Sequence, residues 1–141
     1  MEIEAGLESR MQVLVEGYPH SLPHHLGIRL LVLGRERLVA EMPVDNRTKQ
    51  PFGILHGGAS VVLAETLASI GGWLNLERDD EAAVGLEINA NHLRAVDSGM
   101  VRGTAVPLHR GRRTQVWEIR VENDAGKLVC VSRCTLAVTK R

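Results

Sequence analysis

The longest stretch of apolar and small residues lies near the middle of the chain. Between Lys49 and Glu77 the only formally charged residue is Glu65. Largely apolar positions recur here at the spacing of one helix face, namely Ala59, Leu63, Thr66, Leu67, Ile70, Trp73 and Leu74. This pattern predicts a buried central helix from residue 57 to about residue 76.

Shorter patterns on either side predict one further helix and six strands. Residues 3–16 place apolar side chains near one helical face, and Gly and Pro residues from 17 to 23 end that helix. Period-two alternation predicts a hairpin over residues 26–42, and four more strands follow the charged loop 77–81. Because no helix separates the later strands, we expect an α+β fold with a largely antiparallel sheet packed on the central helix.

Composition narrows the class of protein. The chain has 141 residues and 44% hydrophobic content, which predicts a single domain over residues 1–141. A net charge of zero and few aromatic residues disfavour a nucleic-acid partner. The N-terminal residues are acidic and amphipathic, and no apolar run has the length of a membrane span. We therefore expect a cytoplasmic protein with no membrane partner.

Cysteines and histidines give no metal prediction. Cys130 and Cys134 lie in one predicted strand, which separates them by roughly 13 Å, beyond the roughly 4.4–6.8 Å of a disulfide. Both are expected to be reduced packing residues, and their spacing with His109 matches no zinc pattern. Three further histidines lie among the helix breakers and are expected in a loop: His20, His24 and His25.

Glu65 is the leading candidate for chemistry. No basic residue lies three or four positions away, and small residues share its side of the helix: Gly58, Val61, Ser69 and Gly72. A buried, unpaired carboxylate is costly and typical of a working site, whereas the alternative is an ordinary carboxylate on a helix surface. The sequence has no serine elbow or Cys–His pair, so Glu65 is the best available base or nucleophile.

The glycine pair at the helix start supports the same interpretation. Free N–H groups at a helix N-terminus can polarise a carbonyl, and a glycine at position 57 would leave room for a substrate. The alternative is that Gly57 and Gly58 serve only the backbone turn.

Three segments carry a family resemblance: MPVDNRTKQPFGILHGGASVVLAE, VGLEINANHLR and PLHRGRRTQVW. They resemble the hotdog-fold acyl-CoA thioesterases, especially the dihydroxynaphthoyl-CoA, enterobactin proofreading and hydroxybenzoyl-CoA enzymes. The resemblance spans most of residues 26–138. It implies a curled antiparallel sheet wrapped around the central helix, with an N-terminal helix, and hydrolysis of acyl-CoA thioesters, aromatic ones preferred. The dihydroxynaphthoyl-CoA enzymes belong to menaquinone biosynthesis.

The resemblance also implies site roles. Glu65 would be the catalytic carboxylate, as nucleophile or as base for water, and the Gly57 N–H would polarise the thioester carbonyl. Gln50 and His56 would position the thioester, and Ser69 would hold the attacking water. Coenzyme A, part of the substrate rather than a cofactor, would be held by His92, Arg94 and the basic segment His109, Arg110, Gly111, Arg112 and Arg113. For that segment an ordinary charged hairpin is the alternative.

Helix geometry predicts that two subunits share the site. Gly57 and Glu65 would lie roughly 12 Å apart along the helix, so one thioester could not meet both. Two antiparallel copies of the helix would bring them together in a homodimer, and the resemblance implies pairing into a homotetramer. Two other functions stay open: hydration of an enoyl thioester and acyl-CoA binding without turnover. The HFP-type hydratase motif is absent.

Overall fold

A seven-stranded sheet and one long helix make up most of the molecule. The structure, a computed structural model, describes residues 1–141. Its strands are β1 (Glu2–Ile3), β2 (Arg29–Leu33), β3 (Leu38–Pro43), β4 (Glu81–His92), β5 (Met100–Arg110), β6 (Thr114–Asn123) and β7 (Leu128–Lys140). Its helices are α1 (Glu8–Gly17), α2 (Leu22–His25) and α3 (Gly57–Leu74), with a 3-10 turn at Tyr18–His20.

The strand order is β1-β2-β3-β5-β6-β7-β4, and every pairing except β1 with β2 is antiparallel. The α+β prediction is confirmed. None of the helices combines the length and the hydropathy that a membrane span would require.

The central helix α3 packs against five strands, β3 to β7. Leu63, Leu67 and Leu74 are buried against the sheet, where Trp117 of β6 is completely enclosed. Gly71 permits this close packing, because a Cβ atom there would stand 2.7 Å from the Trp117 ring. The helix ends at Leu74 rather than near residue 76, since the Asn75 side chain donates to the Gly71 carbonyl at 2.8 Å and closes the last turn.

The first helix begins later than the pattern predicts. Gly6 has a φ of +84°, which interrupts any helix there, and Ile3 instead pairs with β2 in the short parallel strand β1. Leu7 and Met11 are buried as expected, but Val15 is exposed. The hairpin prediction is confirmed, although β2 starts at residue 29. The histidines expected in a loop lie in the 3-10 turn and in α2.

Strand β4 departs from simple alternation. Its register with β7 shifts between Gly85 and Glu87, which is a β-bulge. As a result Val84 and Leu86, predicted to share one face with Ile88, are 46% and 63% exposed, while Ile88 packs against the core. This strand also forms a free edge of the sheet. Cys130 and Cys134 are unpaired and buried on β7, as predicted.

Candidate active site

The N-terminal end of α3 opens into a pocket of about 440 Å³. Four residues singled out in the sequence meet there: Gln50, Gly57, His92 and Arg94. They come from three segments. Gln50 precedes α3, Gly57 is its first residue, and His92 and Arg94 lie at and just beyond the end of β4. The remaining lining is mostly apolar and includes Ile54, Leu55, Leu93 and Val129.

One backbone donor at this helix end has no partner. His56 caps the helix: its Nδ1 accepts from the Gly58 N–H at 2.8 Å, and its carbonyl accepts from the N–H groups of Ala59 and Ser60. The Gly57 N–H is the member of the first turn that no protein acceptor contacts. Because its Nδ1 accepts, a neutral His56 carries its proton on Nε2, which is also a donor. His56 is exposed and does not line the pocket, so the Gly57 N–H is the free donor that the start of the helix contributes to it.

Gly57 lies against His92. A Cβ atom at position 57 would stand 2.9 Å from His92 Nε2, so any other residue would displace that ring. Gln50 is held by the turn that follows it, in which its carbonyl accepts from the Gly53 N–H at 3.1 Å, with Gly53 at a φ of +89°. Its side-chain oxygen accepts from the Phe52 N–H. This contact leaves the Gln50 amide NH₂ group free to donate.

Glu65 lies in a different cavity, of about 550 Å³. Its carboxylate is half-buried, forms no ion pair or hydrogen bond within the chain, and stands 3.1 Å from where a Cβ atom of Gly85 would lie. Thr66 and Ser69 line the same cavity, and their hydroxyl groups have no hydrogen-bond partner in the protein. Burial, together with the negative charges of Glu65 and Glu87, raises the pKa of Cys134 to about 11. The carboxylate is thus unpaired, as predicted, but only partly enclosed.

Gly72 was expected beside Glu65, on a side of the helix that a partner helix or a ligand approaches closely, but at Gly72 it is the sheet that makes this approach. Gly72 is buried, and a Cβ atom there would collide with Leu136 and lie 3.2 Å from Ala83. The sheet therefore covers this side of α3 in its C-terminal half. Thr66 and Trp73, predicted in the buried stripe, are half-buried and line the Glu65 cavity.

The basic segment lies at the other end of α3. Arg110, Gly111, Arg112 and Arg113 line a polar pocket of about 620 Å³ together with Asn75 to Arg78 and other residues. Arg110 pairs with Glu36 at 2.6 Å and donates to Asn75 at 3.0 Å. Arg112 and Arg113 are exposed and have no acidic partner, while His109 packs over Gly111. Within one chain this segment is therefore remote from Gln50 and Gly57.

Sequence reasoning missed one side of the Glu65 cavity. Its second wall is formed by the N-terminal segment, through Val13, Leu14, Gly17, Tyr18, Ser21, Leu22 and Pro23. The apolar pattern of residues 3–16 predicts a helix with one apolar face, and nothing in it distinguishes a core contact from a cavity wall. No group of three or more His, Cys, Asp or Glu side chains is placed to hold a metal ion.

Comparison with known proteins places this arrangement in a class. The chain matches the model of the thioesterase superfamily over residues 52–130, so it belongs to that family and is a thioester hydrolase with the hotdog fold. It is 55% identical over 113 residues to the 1,4-dihydroxy-2-naphthoyl-CoA hydrolase of Escherichia coli K12, covering 80% of this chain and 82% of that protein.

Two further proteins show the same relationship. The chain is 53% identical over 118 residues to the proofreading thioesterase EntH of Cronobacter turicensis, covering 84% of this chain and 85% of that protein. A crystal structure of a thioesterase from Haemophilus influenzae superposes with a TM-score of 0.85 at 48% identity, covering 97% of this chain and 92% of that one. The resemblance noted in the sequence is therefore confirmed at the level of family, fold and enzyme class.

Proposed function

We propose that this enzyme hydrolyses acyl-CoA thioesters to the free acid and coenzyme A, with aromatic acyl groups preferred. Support for an aromatic acyl group comes from the similarity to a 1,4-dihydroxy-2-naphthoyl-CoA hydrolase, at 55% identity, which also favours a role in menaquinone biosynthesis. The observation that carries the proposal is the unpaired Gly57 N–H at the start of α3, which opens into the same pocket as the Gln50 amide.

In this proposal the thioester carbonyl oxygen lies at the N-terminus of α3. The Gly57 N–H donates to it, and the helix dipole favours the negative charge that develops there. The Gln50 NH₂ group and the His56 Nε2–H supply further donors that orient the carbonyl. Capping and turn contacts hold the His56 ring and the Gln50 side chain at this end of the helix.

Glu65 attacks the thioester carbon or removes a proton from the water that does so. Its freedom from ion pairs leaves both carboxylate oxygens available, and the free Ser69 hydroxyl, one turn further along α3, can hold the water. If water attacks, the C–S bond breaks and the proton taken by Glu65 passes to the sulfur, so that coenzyme A leaves as the thiol. If Glu65 attacks, the C–S bond breaks as an acyl–Glu65 anhydride forms, and water then hydrolyses the anhydride to the free acid, restores the carboxylate and supplies the proton of the thiol.

The coenzyme A portion is assigned to two places. His92 and Arg94 border the pocket at Gly57 and would contact the arm next to the sulfur atom. Arg112 and Arg113, which are exposed and have no acidic partner, would bind the nucleotide phosphates, with Gly111 and His109 shaping the turn and Arg110 held in place by Glu36.

A two-fold dimer would complete the site. Glu65 lies roughly 12 Å from Gly57 along α3, so the carboxylate that serves a given Gly57 would come from the second subunit. The free edge of β4 and its exposed apolar side chains Val84 and Leu86 provide a surface for such a pairing. Further association of dimers into a tetramer is expected from the family resemblance.

The test is release of free thiol from a panel of acyl-CoA esters by wild-type protein and Glu65→Gln. We expect turnover of benzoyl- and naphthoyl-CoA, and a fall in kcat of about 10²- to 10⁴-fold in the variant, which is the usual contribution of a general base. Glu118→Gln on β6 is the matched control and should keep wild-type kcat. Binding without thiol release, or near-wild-type kcat in Glu65→Gln, would contradict the proposal.

A further inference from the structure

The Glu65 cavity has two chemically different walls. On α3 the wall carries Glu65 and the free hydroxyl groups of Thr66 and Ser69 among the apolar side chains of Val62, Ile70 and Trp73. The opposite wall, the N-terminal segment from Glu8 to His25, contributes mainly aliphatic side chains, Val13, Leu14, Leu22 and Pro23. An acyl group bound between them would meet polar atoms on one side only.

The one phenol on the N-terminal segment, that of Tyr18, already has a hydrogen-bond acceptor within the protein. The Tyr18 hydroxyl donates to the Ile28 carbonyl at 2.9 Å, and burial raises the pKa of Tyr18 to about 12. The Ser21 hydroxyl likewise donates to the Tyr18 carbonyl at 2.6 Å. These contacts hold the segment in shape and leave neither hydroxyl group free to donate to a substrate.

The segment is held to the core by few contacts. In α1 only Met11 is buried, no side chain caps the helix, and α2 has no buried residue. Arg10 links the segment to the end of α3: its guanidinium donates to the carbonyls of Trp73 and Leu76, the latter at 2.9 Å. The Trp73 carbonyl lies in the last turn of α3 and the Leu76 carbonyl just beyond it, where the helix dipole favours a cation.

Arg10 also acts on the cavity wall itself. Its guanidinium carbon lies 5.7 Å from the centre of the Trp73 ring, within the range of a cation–π contact. The Trp73 side chain lines the cavity, as do Leu14 and Gly17 in the following turns of α1. One side chain therefore holds both the aromatic end of the cavity and the helix that covers it.

We infer that the N-terminal segment is the acyl-specificity wall of this enzyme, and that Arg10 is the residue that positions it against α3. The inference rests on the proposed function and narrows its substrate class. The preferred acyl group is bulky and apolar on the side facing the segment, and any hydroxyl groups face Thr66 and Ser69. Small acyl groups do not reach the segment, so changes in the segment leave their kcat and KM unchanged.

The experiment compares kcat and KM for 2-naphthoyl-CoA and acetyl-CoA in wild type, Arg10→Ala and Arg10→Lys. Loss of the charged hydrogen bonds is expected to raise KM for 2-naphthoyl-CoA by about tenfold, with acetyl-CoA unchanged and partial recovery in Arg10→Lys. Arg35→Ala is the control, since Arg35 bonds to Glu4 near the N-terminus but does not line the cavity.

A second pair of variants keeps the test informative if Arg10→Ala does not fold. Leu22 lines the cavity but is 57% exposed, so its substitution spares the core. Leu22→Trp should lower the preference for 2-naphthoyl-CoA over acetyl-CoA, and Leu22→Ala should shift it the other way. Equal changes in kcat and KM for the two substrates, or no change for either, would overturn this inference but not the proposed function. Absence of thiol release by the wild type from either ester would overturn the proposed function as well.

Discussion

Gly57 meets two separate requirements at the residue scale. Its N–H has no acceptor within the protein, because His56 satisfies the other donors of the first turn. Its missing side chain leaves room for His92, whose Nε2 lies 2.9 Å from where a Cβ atom would be. Both features are local, and the sequence HGG at a helix start was enough to predict the first of them.

Gly57→Ala should therefore damage the site more than the fold. Ala favours helices, but its methyl group would push the His92 ring out of the pocket at the helix N-terminus. We expect kcat to fall by about 10²-fold, the usual cost of disturbing one oxyanion donor, with little change in the melting temperature. Steady-state kinetics and thermal melting measure the two effects. Wild-type kcat in the variant would show that this contact has no role.

The surroundings of Gly72 could not be predicted from the helix alone. At about 100° per residue Gly72 lies close to the angular position of Glu65, and a helical wheel assigns both to one side. Both do face β4, but at Gly72 the side chains of Leu136 and Ala83 fill the space in which a partner helix or a ligand was expected. A wheel describes the helix alone and contains no information on how far a sheet curls around it.

At the scale of elements, the long periodic helix and the regular strands β5 to β7 were predictable from hydrophobic pattern. The bulge in β4 and the short strand β1 were not, because a register shift changes pairing without changing composition. The N-terminal segment was partly predictable: Leu7 and Met11 do pack in the core, but its later residues cover a cavity instead.

The basic turn between β5 and β6 carries a prediction of its own. Arg110 forms an ion pair with Glu36 and donates a hydrogen bond to Asn75. The exposed Arg112 and Arg113 are therefore the side chains free to bind phosphate. The double variant Arg112→Ala/Arg113→Ala should raise KM for a CoA ester by about tenfold or more, the usual value of charged hydrogen bonds. Thioesters of pantetheine lack the nucleotide and should be unaffected.

Steady-state kinetics on matched benzoyl esters of coenzyme A and pantetheine measure this difference. Arg120→Ala on β6 serves as the control for a general change in surface charge. Equal increases in KM for the two esters would show that the turn does not act on the nucleotide.

At the scale of the whole molecule, the residues of the proposed site lie in two separate cavities of one chain. The donors lie in one cavity at the start of α3, and Glu65 lies in another further along the same helix. A straight helix holds its residues at set distances, so no local movement brings Gly57 to Glu65 of the same chain. The sequence was sufficient to predict this separation, because helix rise alone determines it. In the proposed dimer, the second subunit would supply the Glu65 that faces a given Gly57.

Subunit mixing tests the account most directly. A Gln50→Ala/His56→Ala double variant and a Glu65→Gln variant, each inactive alone, are exchanged and assayed for thiol release from an aromatic acyl-CoA. If each site combines the donors of one subunit with Glu65 of the other, random two-fold mixing should restore about one quarter of wild-type activity. Exchange shown by mass spectrometry with no recovered activity, or a monomer that is fully active, would contradict the shared site.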